Sequence, residues 1–373
     1  MLLTDYSKYC GTGKFVAVGL KMSSFACVSN VLELFSFEGE EITPICRSEL
    51  PIVSGDNLSA LCWNHTNQVV ATASTESKKI QLWQAANASL LSSIPFGKEE
   101  LADTITGVAF SSSSRYIAAG VYSKVHVWDL KRRNLKAAFQ HDSAVSALLY
   151  HQDSHIYSGD MGGVVRCWDL KAGECSGECA PINSTAACMT LTSSSRAPAN
   201  LICGRRNGSL QVYDLSTLGV VRNMHIHSLD GITAICGSPR NSKLLTAVCK
   251  GEGKVSLIDI TTGSSGPSGG TGSTSENLYQ PSASISLFHA RPTCVSCHEN
   301  GFHVAIGCTG GQVLIYDWRN ARAPVCEYQL PAGGEISGIS FQVRQFSFCF
   351  YLFLLYVAFA WCLLDVQWYF SLI

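Results

Sequence analysis

This sequence predicts an all-β fold, a propeller of seven four-stranded blades, and three observations carry the prediction. The tetrapeptide Trp-Asp-Leu-Lys occurs twice, at Trp128–Lys131 and Trp168–Lys171, 40 residues apart. A valine-rich stretch with period-2 alternation precedes each copy, with Val125 and Val127 around His126, and Val164 and Val165 beside Arg166. The same strand ending then recurs along most of the chain. A repeat of about 40–45 residues that closes on Trp-Asp is the signature of a propeller blade.

The third strand of each blade is the clearest element. In order they are Val31–Phe35, Ile80–Trp83, Val125–Trp128, Val164–Trp168, Leu210–Tyr213, Val255–Ile258 and Val313–Tyr316. Their large terminal residues lie 48, 45, 40, 45, 45 and 58 residues apart, and each is expected to fill the same slot between blades. Innermost strands are predicted at Leu58–Trp63, Ile105–Phe110, Val145–Tyr150, Ala187–Leu191, Ile232–Cys236, Thr293–Cys297 and Ile336–Phe341. Second strands such as Val69–Ser74 and Tyr116–Gly120 end at turn signals. Strand signal before Phe15 is weak, so Ile336–Phe341 is expected to close the ring as the innermost strand of the first blade. The alternative is that Met1–Cys10 supplies it. Closure removes free sheet edges. The whole is read as a WD-repeat β-propeller over residues 1–342.

The interval of 58 has a visible cause. Thr262–Ser284 is dominated by Gly and Ser and has too little apolar content to offset ordering entropy. It is expected to be a disordered insertion that follows the third strand Val255–Ile258.

A length of 373 residues would suggest about two domains, but propeller blades bury their faces only against neighbours and form one unit. Net charge is −1, from 27 Lys+Arg and 28 Asp+Glu. That balance gives no footprint for nucleic acid, and none is expected as a partner. The 17 cysteines are scattered through apolar strand patterns rather than packed into a short framework. They read as reduced thiols that pack as small hydrophobes in an intracellular protein. Met1–Cys10 carries charge and no apolar run, so no signal peptide is expected.

Motifs for chemistry are sparse. Cys294-Val-Ser-Cys297-His298 has the spacing of a haem-attachment motif, but it falls on a predicted inner strand and lacks an export signal. A zinc site there would need a second tight ligand pair. No phosphate-cradling loop, nucleophile elbow or nucleophile–base constellation stands out. No catalytic residue, metal or cofactor is expected, and the chain is read as not an enzyme. Blades of this kind often hold a buried His–Ser/Thr–Asp–Trp network. His141 and Trp168 stand where its ends belong, but Gly162 occupies the turn position six before Trp168. The network is therefore expected to be incomplete, with stability resting on apolar packing. Basic clusters at Lys78-Lys79, Lys131-Arg132-Arg133 and Arg205-Arg206 flank strands. They are expected on a rim or face of the propeller and are the candidate partner-binding residues, suited to an acidic protein surface.

Some segments are more particular than a generic blade. These are Trp63–Ala71, Lys78–Trp83, Ser114–Ile117 with Val125–Leu130, Tyr316–Arg319 and Ser340–Gln342. Together they resemble the γ-tubulin-ring-complex-targeting WD-repeat family (neural precursor cell expressed, developmentally down-regulated protein 1) over about residues 15–342. The resemblance implies a non-enzymatic adaptor that recruits γ-tubulin ring complexes to centrosomes or spindles for microtubule nucleation. It implies residence in the cytoplasm and cytoskeleton, with spindle, centrosome or ring-complex proteins as partners. The family continues after the propeller with a polar tail that carries γ-tubulin-complex binding. This chain departs there, so it is expected to be a truncated form.

In place of that tail, Phe346–Leu364 runs 19 residues without a charge, between Arg344 and Asp365. That is long enough to cross a bilayer as a helix. Residues 343–373 are thus a hydrophobic C-terminal segment outside the propeller, with 346–364 as candidate transmembrane helix or as part of a mis-spliced tail. The first option makes the chain a membrane-tethered scaffold with a cytosolic propeller. A substrate receptor of another multiprotein complex is a further alternative.

Overall fold

The computed structural model describes residues 15–21, 30–38, 41–49, 58–66, 68–74, 79–85, 89–95, 105–179, 183–194, 197–226, 231–241, 243–261, 281–287, 290–298, 300–330 and 335–341. These residues form an all-β propeller built of seven four-stranded sheets. Six are blades with described side chains, numbered here in chain order. They span Leu58–Pro95, Ile105–Gln140, Val145–Glu178, Ala186–His225, Ala234–Ser286 and Pro292–Gln329. In the remaining sheet, Phe15–Lys21, Asn30–Glu38 and Glu41–Glu49 are described by backbone pairing. Its fourth member is Glu335–Phe341, which pairs antiparallel with Phe15–Lys21, Ala17 standing opposite Ser340. The chain's C-terminal side thus supplies the innermost strand of its first sheet. Met1–Cys10, the alternative donor, lies outside the described residues. Innermost strands follow one another round a ring, and Glu335–Phe341 meets Leu58–Trp63 to complete it.

The expected third strands all occupy third place in their sheets. Their terminal aromatic residues do what the repeat implies. Trp128, Trp168, Tyr213 and Tyr316 each pack into a cluster shared with the preceding blade. Trp168, for example, stacks on Phe139 of blade 2 with ring centroids 4.9 Å apart. The hydrophobic core is therefore a series of layers between blades, as expected when each sheet needs a neighbour to bury its faces.

A small-residue socket sets the spacing of these layers. Near the end of its second strand, blade 3 carries Gly159, where an added Cβ would lie 2.5 Å from Ala186 Cβ of blade 4. Gly120, Gly204 and Gly307 meet Val145, Ile232 and Ile336 of the following sheet in the same way. A hydroxyl on the innermost strand pins the same seam. Ser146 Oγ donates to Ala186 O at 2.6 Å, and Thr293 Oγ1 donates to Ile336 O at 2.6 Å.

The aspartate of Trp-Asp has a separate task. It caps the turn between third and fourth strands, accepting from Arg132 N at Asp129, Lys171 N at Asp169 and Thr217 N at Asp214. These amides hold the Asp169 carboxyl below the usual carboxylate range.

Two expectations are corrected. The polar network of blade 3 is complete. Trp168 Nε1 donates to Ser158 Oγ (2.7 Å), which lies 2.6 Å from His141 Nε2, and His141 Nδ1 lies 3.2 Å from Asp160 Oδ2. The acid sits at the end of the second strand, eight residues before Trp168, rather than in the turn six before it. Asp160 also accepts from Val164 N across that turn at 2.9 Å. The insertion boundary also moves. Ala283 and Ser284 belong to the fourth strand of blade 5, paired with Leu257 and Ser256, so that end of the expected disordered segment is ordered. Residues 262–280 lie outside the described residues.

No helix among the described residues is long and apolar enough to cross a membrane. The candidate transmembrane segment 346–364, and the whole of 343–373, lie outside the described residues.

Candidate protein-binding cavity

In an antiparallel sheet, the turn between second and third strands lies at the same end as the entry to the first strand. Where blades 3 to 6 bring these ends together, they enclose a cavity of about 510 Å³. Ser146 of blade 3 and Thr185 of blade 4 line one side. Arg206 and Lys250 project from the turns after the second strands of blades 4 and 5. Arg291 stands at the entry to blade 6.

Backbone contacts fix the position of Arg206. Its N donates to Thr185 O at 3.2 Å, and the neighbouring Arg205 O accepts from Ile232 N at 3.0 Å. Gly231 runs so close that an added Cβ would lie 2.5 Å from Arg206 Cα, so only glycine fits at that crossing. Lys250 Nζ meets Glu335 Oε1 at 2.5 Å, which ties blade 5 to the strand that closes the ring. Arg206 and Arg291 are exposed, and among the described residues no acidic side chain lines the cavity.

The hydroxyls around the cavity already have acceptors. Besides Ser146, Thr185 Oγ1 donates to Met161 O at 3.3 Å and Thr233 Oγ1 donates to Val248 O at 3.2 Å. The side-chain donors left to face a ligand are therefore the cations. The arrangement suits recognition of negative charge. Among the described residues no carboxylate, imidazole or thiol lines it to serve as a general base.

The cations singled out from the sequence separate in space. Lys79 is exposed and opens the third strand of blade 1, while Lys78 lies outside the described residues. Lys131, Arg132 and Arg133 are exposed on the turn between third and fourth strands of blade 2, at the opposite end of the sheets from the cavity. Arg206 lines the cavity. Arg205, expected at the surface, is fully buried, at 0% exposure. It stands where blade 3 has Asp160. Its guanidinium donates to Gln211 Oε1 at 2.5 Å, Ser184 O at 2.7 Å, Gly163 O at 3.1 Å and Tyr213 Oη at 2.7 Å. Blade 4 thus replaces the His–Asp–Trp network with one centred on a fork of N–H donors.

The Cys294–His298 motif does not converge. Cys294 Sγ faces Ile336 O at 3.7 Å, whereas Cys297 N donates to Cys236 Sγ of blade 5 at 3.2 Å. His298 packs its ring edge on Phe341. Burial pushes the Cys294 thiol up to about 12, away from the thiolate that a metal needs. Among the described residues no group of three or more His, Cys, Asp or Glu could hold a metal ion. Every described cysteine is a free thiol.

Sequence reasoning missed Lys250 and Arg291 because each is an isolated cation. The repeat itself held a signal for Lys250: like Arg206, it directly follows a second strand, one ending at Cys249 and the other at Arg205.

Comparison with known families decides the class of repeat. The WD domain, G-beta repeat family matches residues 98–129 and 133–169, the two segments that end on the paired Trp-Asp motifs. The chain carries WD repeats. Such propellers are in general non-enzymatic scaffolds for contact between proteins. Among curated proteins, this WD-repeat chain is 23% identical to Protein NEDD1 of Homo sapiens over 281 residues, 74% of this chain and 39% of the relative. It is 25% identical to the target of rapamycin complex subunit wat1 of Schizosaccharomyces pombe over 144 residues, 38% of this chain and 44% of that protein. A 65-residue stretch is 37% identical to nuclear distribution protein nudF of Aspergillus niger, covering 17% of this chain and 15% of that protein. The WD-repeat chain thus spans less than half the length of each of these relatives.

Proposed function

We propose that the chain is a microtubule-related adaptor that helps target γ-tubulin ring complexes to the spindle or centrosome, where microtubules nucleate. The observation that supports this reading is the likeness to human NEDD1, which runs through 74% of the chain and so through most of the propeller. Counting the sheet closed by Glu335–Phe341 as a blade makes the ring seven-bladed. Residues 1–342 then form the docking body, and 343–373 stand outside it. On this reading the protein works by binding other proteins in the cytoplasm and catalyses nothing.

The test is the position of the tagged chain in dividing cells, combined with affinity capture. Concentration at spindle poles with co-capture of γ-tubulin-complex subunits supports the reading. Diffuse signal without those subunits rejects it. A second reading, a subunit of another multiprotein complex, is favoured by the likeness to the target of rapamycin complex subunit. Capture of that kind of complex in place of tubulin components would select it.

A further inference from the structure

We propose that the cavity between blades 3 and 6 binds an acidic segment of a partner protein, with Arg206 and Arg291 as the anion-holding residues. Charge is the first argument. The chain as a whole carries −1, yet this cavity gathers Arg206, Lys250 and Arg291 with no acid among the described residues of its lining. A concave site of one sign focuses the field and raises the local concentration of oppositely charged groups. Glu335 occupies Lys250, so the two exposed guanidinium groups remain to meet incoming anions. Arginine presents a planar fork of donors that matches carboxylate and phosphate oxygens.

Shape and chemistry select a peptide over other anions. At about 510 Å³ the cavity fits a few side chains, and a duplex would sit above it. Among the described residues its lining holds no aromatic ring on which single-stranded bases could stack. It is also a recess rather than a basic, apolar face of the kind that lies on a membrane. An extended chain with carboxylate or phosphorylated side chains satisfies both the volume and the cations. The hydroxyls of Ser146, Thr185 and Thr233 already donate to carbonyls, so recognition rests on charge-assisted bonds and weakens as salt rises.

This inference deepens the scaffold reading proposed above and rests on it. A chain that binds acidic peptide but stays away from spindles keeps this site and loses the microtubule assignment. A chain that reaches spindles but ignores the peptide loses the site alone.

The experiment is fluorescence anisotropy with the full chain and two labelled peptides. One alternates glutamate with glycine, and the other carries a single phosphoserine between glycines. Saturable binding of either supports the proposal, and the stronger of the two names the anion. Arg206→Ala and Arg291→Ala should each weaken binding about tenfold, the scale of one hydrogen bond to a charged group. Lys136→Ala, on the exposed outermost strand of blade 2, should leave it unchanged. Both arginines are exposed, so thermal melts of the variants should match the parent. Failure of both peptides to bind overturns the proposal, as does equal binding by the double variant. An oligonucleotide of equal charge that binds more tightly than either peptide overturns the assignment to a protein segment.

Discussion

Ser158 Oγ accepts from Trp168 Nε1 at 2.7 Å and lies 2.6 Å from His141 Nε2, so one buried hydroxyl joins two rings. The roles follow from the donors present. Trp168 can only donate, so Ser158 passes its own proton toward His141 Nε2, and His141 Nδ1–H faces Asp160. Ser158→Ala would orphan two buried ring nitrogens, at about 1–3 kcal/mol each. Blade 1 makes the same bond with threonine, Trp83 Nε1 to Thr72 Oγ1 at 2.8 Å. Ser158→Thr should therefore keep more stability than Ser158→Ala. Urea melts of the two variants check the order.

The same network predicts an acid limit. Burial lowers the His141 pKa from its ordinary 6.5, and the bond to Asp160 offsets this only in part. Burial also lowers His65 and His151. The unfolded chain therefore binds more protons than the folded one, and stability rises with pH in this range. The contribution is fully present above the unfolded value of 6.5 and is lost as pH falls through it toward the folded pKa. The urea midpoint should fall between pH 7.5 and pH 5.5, about where histidine titrates. A second loss belongs below the ordinary carboxylate value of 3.8, where the turn-capping Asp169 and Asp214 are protonated.

The glycine sockets should tolerate no methyl group. Gly159→Ala would force a Cβ to 2.5 Å from Ala186, and overpacking of this kind costs about 1–3 kcal/mol. Gly173 has φ +76° with open space around it, so Gly173→Ala adds only backbone strain of about 1 kcal/mol. Chemical denaturation of both variants should place Gly159→Ala as the more damaging.

Adjacent arginines should behave as opposites. Arg205→Lys keeps the charge but lacks the fork that serves Gln211, Ser184, Gly163 and Tyr213, and an orphaned buried acceptor costs about 1–3 kcal/mol. Arg206→Ala, at an exposed site, should move stability by less than about 0.5 kcal/mol. Parallel melts of the two variants read the difference directly.

The strands were legible because each blade writes its core position as one large residue after alternating apolar residues. Trp128, Trp168, Tyr213 and Tyr316 mark it plainly. Closure by Ile336–Phe341 was legible from the weak signal before Phe15. Asp160 was missed because the acid was sought within the turn, six residues before Trp168, whereas it stands at the end of the second strand. Arg205 looked like surface charge because nothing local reports that Gln211 and Tyr213 will surround it; that environment arises only when the strands pair. The cavity stayed hidden for a similar reason. Arg206, Lys250 and Arg291 are far apart in sequence and meet only where three blades end.

The pairing of Phe15–Lys21 with Glu335–Phe341 also sets a timetable. A ribosome adds about 5–20 residues each second, so the two partners are made tens of seconds apart. Throughout that interval the nascent chain carries a strand edge that nothing yet made can cover. Chaperones that shield such edges would act longest on the first sheet, although it is the first to emerge. The earliest segment of the ring to be synthesised is the last to be finished.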